Sequence, residues 1–171
     1  MSMSDASIPV FETGLNVLSA LLDKAEAYAE AKRIDPTVLL GVSLFPGMLA
    51  FSRQIQRACD QAKNGGARLA GIEPPSHEDS EKTIAELKAR IAKTLAFLKT
   101  LDTRKIDESA EREITFPLGP KKGHMRGSDY LNHFAVPNFH FHVTTAYGIL
   151  RHCGIEIGKS DFLGDIPMRT T

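Results

Sequence analysis

Apolar residues recur at three- and four-residue steps along four stretches of this chain, the spacing of one face of an α-helix. The first stretch runs from Pro9 to Arg33, with Phe11, Leu15, Leu18, Leu22 and Ala25 in one stripe and Glu12, Asn16, Asp23 and Glu26 turned elsewhere. Asp35-Pro36 stops it and reopens the chain, because proline suits a first helical turn. A second helix is predicted over Thr37 to Lys63, with Val38, Val42, Phe45, Met48, Ile55, Cys59 and Ala62 on one side. Pro46-Gly47 falls inside that pattern. Proline lacks the backbone donor and clashes with the preceding turn, so a kink or break is predicted near Phe45. Asn64-Gly65-Gly66 is expected to end this helix, and Gly71 to Pro75 to form an extended connector. The third helix carries Ile84, Leu87, Ile91, Leu95 and Leu98 on one face, with Ser76 or Asp79 as the expected cap. Lys82, Glu86, Lys88, Arg90 and Lys93 read as its solvated side.

The period then changes. Ile114, Phe116 and Leu118 alternate with Thr115 and Pro117, and Gly119-Pro120-Lys121-Lys122-Gly123 has turn chemistry, which predicts a β-hairpin with Met125 on the return strand. Pro117 confines its strand to an edge. A fourth helix is predicted from Pro137-Asn138 to just before Gly154, with Phe139, His142, Ala146, Ile149 and Cys153 sharing a face. The stretch from Ile155 to Thr171 is expected to wrap over the bundle. Nothing resembles a repeat or linker, so one domain over residues 1–171 is expected.

Composition narrows the function classes. Lys plus Arg equals Asp plus Glu at 21 each, so no global field recruits nucleic acid or an anionic membrane surface. There is no Trp and there are three Tyr, a poor supply of base-stacking platforms. Two cysteines, Cys59 and Cys153, cannot build a disulfide framework or a zinc pattern. No apolar run approaches the ~18–20 residues that span a bilayer. The opening residues lack the basic and apolar regions of a signal peptide, so a cytoplasmic location is expected.

The most informative side chain is His142, placed mid-stripe where the pattern asks for Leu or Phe. A buried imidazole needs hydrogen-bond partners or a metal. A satisfied core histidine is the commoner outcome; a ligand or a catalytic base is the rarer one. His140 shares a flank with Thr144, Tyr147 and Arg151, and it diverges from His142 by about 200°, so the two cannot chelate one ion. His152 suits the helix end, where a cation complements the macrodipole. His77 is expected to be exposed at the start of the third helix, while the pattern does not place His124 or His133 against the bundle. Neither His-x-x-x-His nor a helical Glu-x-x-His is present. The Gly-x-Ser-x-Gly elbow and the phosphate- and dinucleotide-binding fingerprints are missing too.

The run from Phe134 to His152, with Pro137-Asn138, His142, Thr145-Ala146-Tyr147 and Arg151-His152, is distinctive, as is Gly158 to Gly164. With Gln54 to Asp60 and Arg68 to Pro74, these segments resemble an uncharacterised bacterial and fungal family in the DinB/YfiT-like superfamily. The resemblance implies a mainly α fold, a four-helix bundle running up-down-down-up with one long crossover, here with a short β-hairpin before the last helix. It also implies a homodimer. Metal-binding members of the superfamily place three histidines in the bundle, one on the second helix and an i, i+4 pair on the last, which would make a divalent metal, zinc or nickel, the cofactor to look for here. Here the second helix has no histidine, and Asn138 and Ala146 flank His142 at four-residue spacing, so His142 is the one core-facing metal candidate. Two functions follow from the resemblance. One is a small-molecule-binding protein using Asn138, His142 and Tyr147 without a complete three-histidine site. The other is a thiol-dependent transferase or metal-dependent hydrolase-like enzyme with His142 as base.

Overall fold

The computed structural model describes residues 1–166. Four long helices make the bundle: α1 (Ile8–Lys32), α3 (Phe51–Ala70), α4 (Ile84–Leu98) and α7 (Val136–His152). Shorter elements join them: α2 (Thr37–Leu40), α5 (Thr103–Asp107), the hairpin β1 (Glu113–Leu118) and β2 (Lys121–Arg126), α6 (Gly127–Tyr130) and, after the bundle, α8 (Lys159–Leu163). No helix among the described residues is long and apolar enough to cross a membrane.

Side-chain neighbours give the helix directions. Gly65, near the end of α3, lies against Phe11 at the start of α1, so these two helices are antiparallel. Gly66 faces Leu98 at the end of α4, while Gln56 near the start of α3 bonds to Glu81 just before α4. Helices α3 and α4 are therefore parallel. Phe11 meets Phe139 edge-on at 5.2 Å, and Tyr28 donates to the Cys153 carbonyl, so α7 runs with α1. The order is up-down-down-up. The parallel α3–α4 pair requires the connector between Ala70 and Ile84 to travel back along α3.

The first helix matches expectation, and the hairpin forms with Ile114 paired to Met125, but its turn is only Gly119-Pro120: Lys121, Lys122 and Gly123, expected in the turn, pair with Leu118, Pro117 and Phe116 in the ladder. The predicted second helix does not exist as one piece. Leu40 ends a single turn, Gly41 to Ala50 is a loop, and α3 begins at Phe51, so Pro46-Gly47 breaks the helix instead of bending it. The Phe51 amide closes that loop on the Val42 carbonyl. Asn64-Gly65-Gly66 does not end α3, which continues to Ala70 and stops at left-handed Gly71. The two glycines serve close approach: a Cβ on Gly66 would stand 2.7 Å from Leu101. Tertiary contact outweighs the roughly 1 kcal/mol of lost helix propensity.

The third helix is capped by Thr83, not by Ser76 or Asp79. Its hydroxyl accepts from the Glu86 amide while the Glu86 carboxylate accepts from the Thr83 amide, a closed capping box. The last helix starts earlier than its apolar pattern suggested. A π-helical turn, Leu131–Ala135, joins α6 to α7 in one continuous run. Pro137 has no N–H for the carbonyl one turn back, and the widened turn accommodates that defect. Beyond the left-handed Gly154, Ile155 and Ile157 are buried, α8 packs on α1 and Gly164 lies against Val17, so the tail does wrap the bundle as far as Gly164. The remaining predicted tail, 167–171, lies outside the described residues.

Candidate functional site

His142 is in the core stripe of α7 and only 9% exposed. Its ring meets Gln54, in the first turn of α3, through an Nδ1···Oε1 contact of 2.7 Å. Both helices are needed, because the partners are 88 positions apart. The Gln54 amide nitrogen donates to the Leu49 carbonyl at 3.0 Å, which turns its oxygen toward the ring. Nδ1 must therefore carry the proton, and Nε2 is left as a lone-pair acceptor. Among the described residues Nε2 has no hydrogen-bond partner, and the atom is not sealed from solvent. Burial holds the imidazole at a pKa of about 4; the Arg57 charge adds to this and Asp60 opposes it. The ring is neutral at pH 7.

Apolar side chains border this pair. Phe141 packs edge-on to the His142 ring at 5.3 Å and is itself 55% exposed. The loop before α3 presents Leu44, Phe45 and Leu49 to solvent, and Leu44 reaches toward Gly148 on α7.

The other two ligand-binding candidates do not point at His142. Asn138, the nearest local partner by spacing, donates its amide to the Phe134 carbonyl at 3.1 Å. Tyr147 packs against Phe162 of α8, 5.8 Å between ring centres, on a different side of α7. Gln54 is the partner that the sequence reading missed. It falls three residues after Phe51 and four before Ala58 on an apolar row of α3, and a polar residue in such a row was the available signal.

A divalent ion of the superfamily type does not fit these residues. Among the described residues, no three of His, Cys, Asp and Glu converge. On α3 the side chain facing His142 is an amide whose oxygen already accepts from that ring, and His142 has no chelating histidine at four-residue spacing.

The largest departure concerns Arg90, read from sequence as solvated. Its side chain is 2% exposed and faces α3. Nη2 pairs with Asp60 at 2.9 Å and Asp79 at 3.0 Å, while Nη1 reaches Glu81 at 3.0 Å and the Glu78 carbonyl at 2.9 Å. Gln56 donates to Glu81 and Lys63 stands 3.4 Å from Asp60. This network straps the α3–α4 connector to both helices. His77, expected on the surface, is half-buried under it. Burial lowers the His77 pKa, as do the charges of Lys63, Lys93 and Arg90. Cys59 is fully buried beside Thr94, and that burial pushes its thiol up to about 12, unsuited to nucleophilic work. His124, His133 and His152 are exposed.

Three comparisons bear on this arrangement. Residues 3–163 match the family model described as a domain of unknown function, DUF1993. The chain is 42% identical to a DinB family member protein from Shewanella denitrificans of known crystal structure, with a TM-score of 0.92. That match covers 98% of this chain and 95% of the other. No curated protein matches.

Proposed function

The chain belongs to the DUF1993 family and shares the fold of a DinB family member, and from that premise we propose that it is a one-domain protein that binds a small molecule at His142. The observation that carries this reading is the Gln54–His142 hydrogen bond. Gln54 is anchored by the Leu49 carbonyl and dictates the tautomer, so a neutral Nε2 acceptor stands ready for a ligand hydroxyl, amide or thiol donor. The exposed ring of Phe141, edge-on to His142, supplies apolar surface for the rest of such a molecule. Asn138 bonds within its own helix and Tyr147 packs under α8, so in this reading neither meets the acceptor directly.

A thermal-shift screen of small molecules against the wild-type chain and His142→Leu tests the reading. Ligands found with the wild type should lose their stabilising effect in the variant while its fold is kept. Ligands that stabilise both chains equally would refute the site.

The same hydrogen bond supports a second reading. An imidazole whose Nδ1–H is held by a neighbouring side chain has Nε2 oriented as a base toward an incoming hydroxyl or thiol. If a turnover assay is found, activity in this reading falls steeply in His142→Gln, and Gln54→Leu lowers kcat more than it raises KM. For assembly we propose a homodimer, supported by the superfamily resemblance and by the exposed flank of His140 and Thr144.

A further inference from the structure

A hollow of about 310 Å³ opens away from His142, on the opposite side of α7. Its walls come from α1 (Pro9, Val10, Thr13, Gly14), α7 (His140, Val143) and α8 (Phe162, Leu163). Two features of the fold create it. Gly14 lets α1 approach α7 until a Cβ there would stand 2.5 Å from the Phe139 ring. Helix α8 is then laid over the seam and pinned from both sides, by Lys24 to Asp161 at 2.6 Å and by Phe162 against Tyr147. The volume is at the lower end of the roughly 300–1,000 Å³ typical of small-molecule sites.

The lining is apolar apart from two side chains, His140 and Thr13. Neither makes a side-chain hydrogen bond to another described residue. His140 is exposed along one edge, and partial desolvation on the side facing the hollow lowers its pKa, which favours the uncharged ring at pH 7. Among the described residues no carboxylate, lysine or arginine lines this hollow. The hollow is open to solvent at Pro9, Thr13, His140 and Leu163, and a charged ligand would find no counter-charge among its described walls.

We propose that this hollow is a second binding site, for a compact uncharged molecule with one hydroxyl or N–H head, such as a phenol or an indole. The head bonds to His140 and Thr13, while the ring lies on Val10, Val143, Phe162 and Leu163. The site is independent of the Gln54–His142 pair, which lies on the α3 side of α7.

Indole and benzoate, titrated into the isotope-labelled full chain and followed by amide NMR at pH 7.5, test this. Indole should give saturable shifts on Val10, Thr13, Val143 and Leu163, and benzoate should bind at least about tenfold more weakly because its charge is unpaired. Val10→Trp, which fills the hollow from the α1 side, should weaken indole about tenfold or more, and Thr13→Val by several-fold. His142→Gln should leave indole affinity unchanged, separating this site from the one proposed above. Indole shifts that do not saturate, that cluster on Phe141 and Leu44, or that persist undiminished in a folded Val10→Trp chain would overturn the proposal.

Discussion

Replacing His142 by Leu gives a quantitative test of how deeply the imidazole is held. Burial keeps the folded ring at a pKa of about 4, against about 6.5 in an unfolded chain. Between those values the unfolded state binds more protons than the folded one, so acid favours unfolding. The stability tied to a neutral His142 is fully present above the unfolded value and is lost as pH falls toward the folded one. Integrating that difference gives a loss of about 2 kcal/mol by pH 5 and about 3 kcal/mol by pH 4. Leucine fills a similar space and does not titrate, so His142→Leu should match or exceed the wild type in acid. Half-buried carboxylates such as Glu81, whose pKa is lowered, titrate at lower pH in both proteins and cancel in the comparison. Urea unfolding at pH 7.5, 6.0 and 5.0 measures the effect. With a urea dependence of about 2 kcal/mol per molar, the wild-type midpoint should fall by about 1 M more than that of the variant. NMR of the wild-type ring supplies the direct check. A histidine titrating near 6.5, or a pH dependence equal in the two proteins, would show the ring to be in water and refute the buried acceptor.

Arg90→Met should destabilise the chain by about 3 kcal/mol in urea, because Asp60, Asp79 and Glu81 lose the buried cation they share. Burial raises the Glu81 pKa but is outweighed by the hydrogen bonds from Arg90 and Gln56, so its carboxyl titrates below the usual value. The stability it confers is present above the unfolded pKa and lost as pH falls through the folded one; this acid dependence should shrink in Arg90→Met. A variant within about 0.5 kcal/mol of wild type would make the network an ordinary surface cluster. Light scattering of the full chain at micromolar concentration should give twice the 18.7 kDa chain mass, and a single-chain mass would remove the proposed dimer.

How much of this protein was legible in its sequence depends on the distance over which each feature is decided. Helix faces, the presence of the hairpin and the left-handed stop at Gly154 depend on neighbours three or four residues away, or on a short turn, and the residues carried them. The same local signal marked His142 as a ring in an apolar stripe. Resemblance added the up-down-down-up order, which periodicity alone does not contain. Other features required the assembled bundle. Gly65-Gly66 looks like a helix stop along the chain, yet against Phe11, Leu98 and Leu101 it is where helices need room. Arg90 sits among charged residues in sequence, but the parallel pairing of α3 and α4 turns it toward Asp60 and draws the connector's Asp79 and Glu81 onto it. Gln54 meets His142 across 88 positions, whereas Asn138, one turn away, bonds to its own helix. Local pattern specifies which face of a helix is buried. Which residues meet across that face is decided only when helices from distant parts of the chain pack, since burial obliges each polar group to find a partner wherever the fold supplies one.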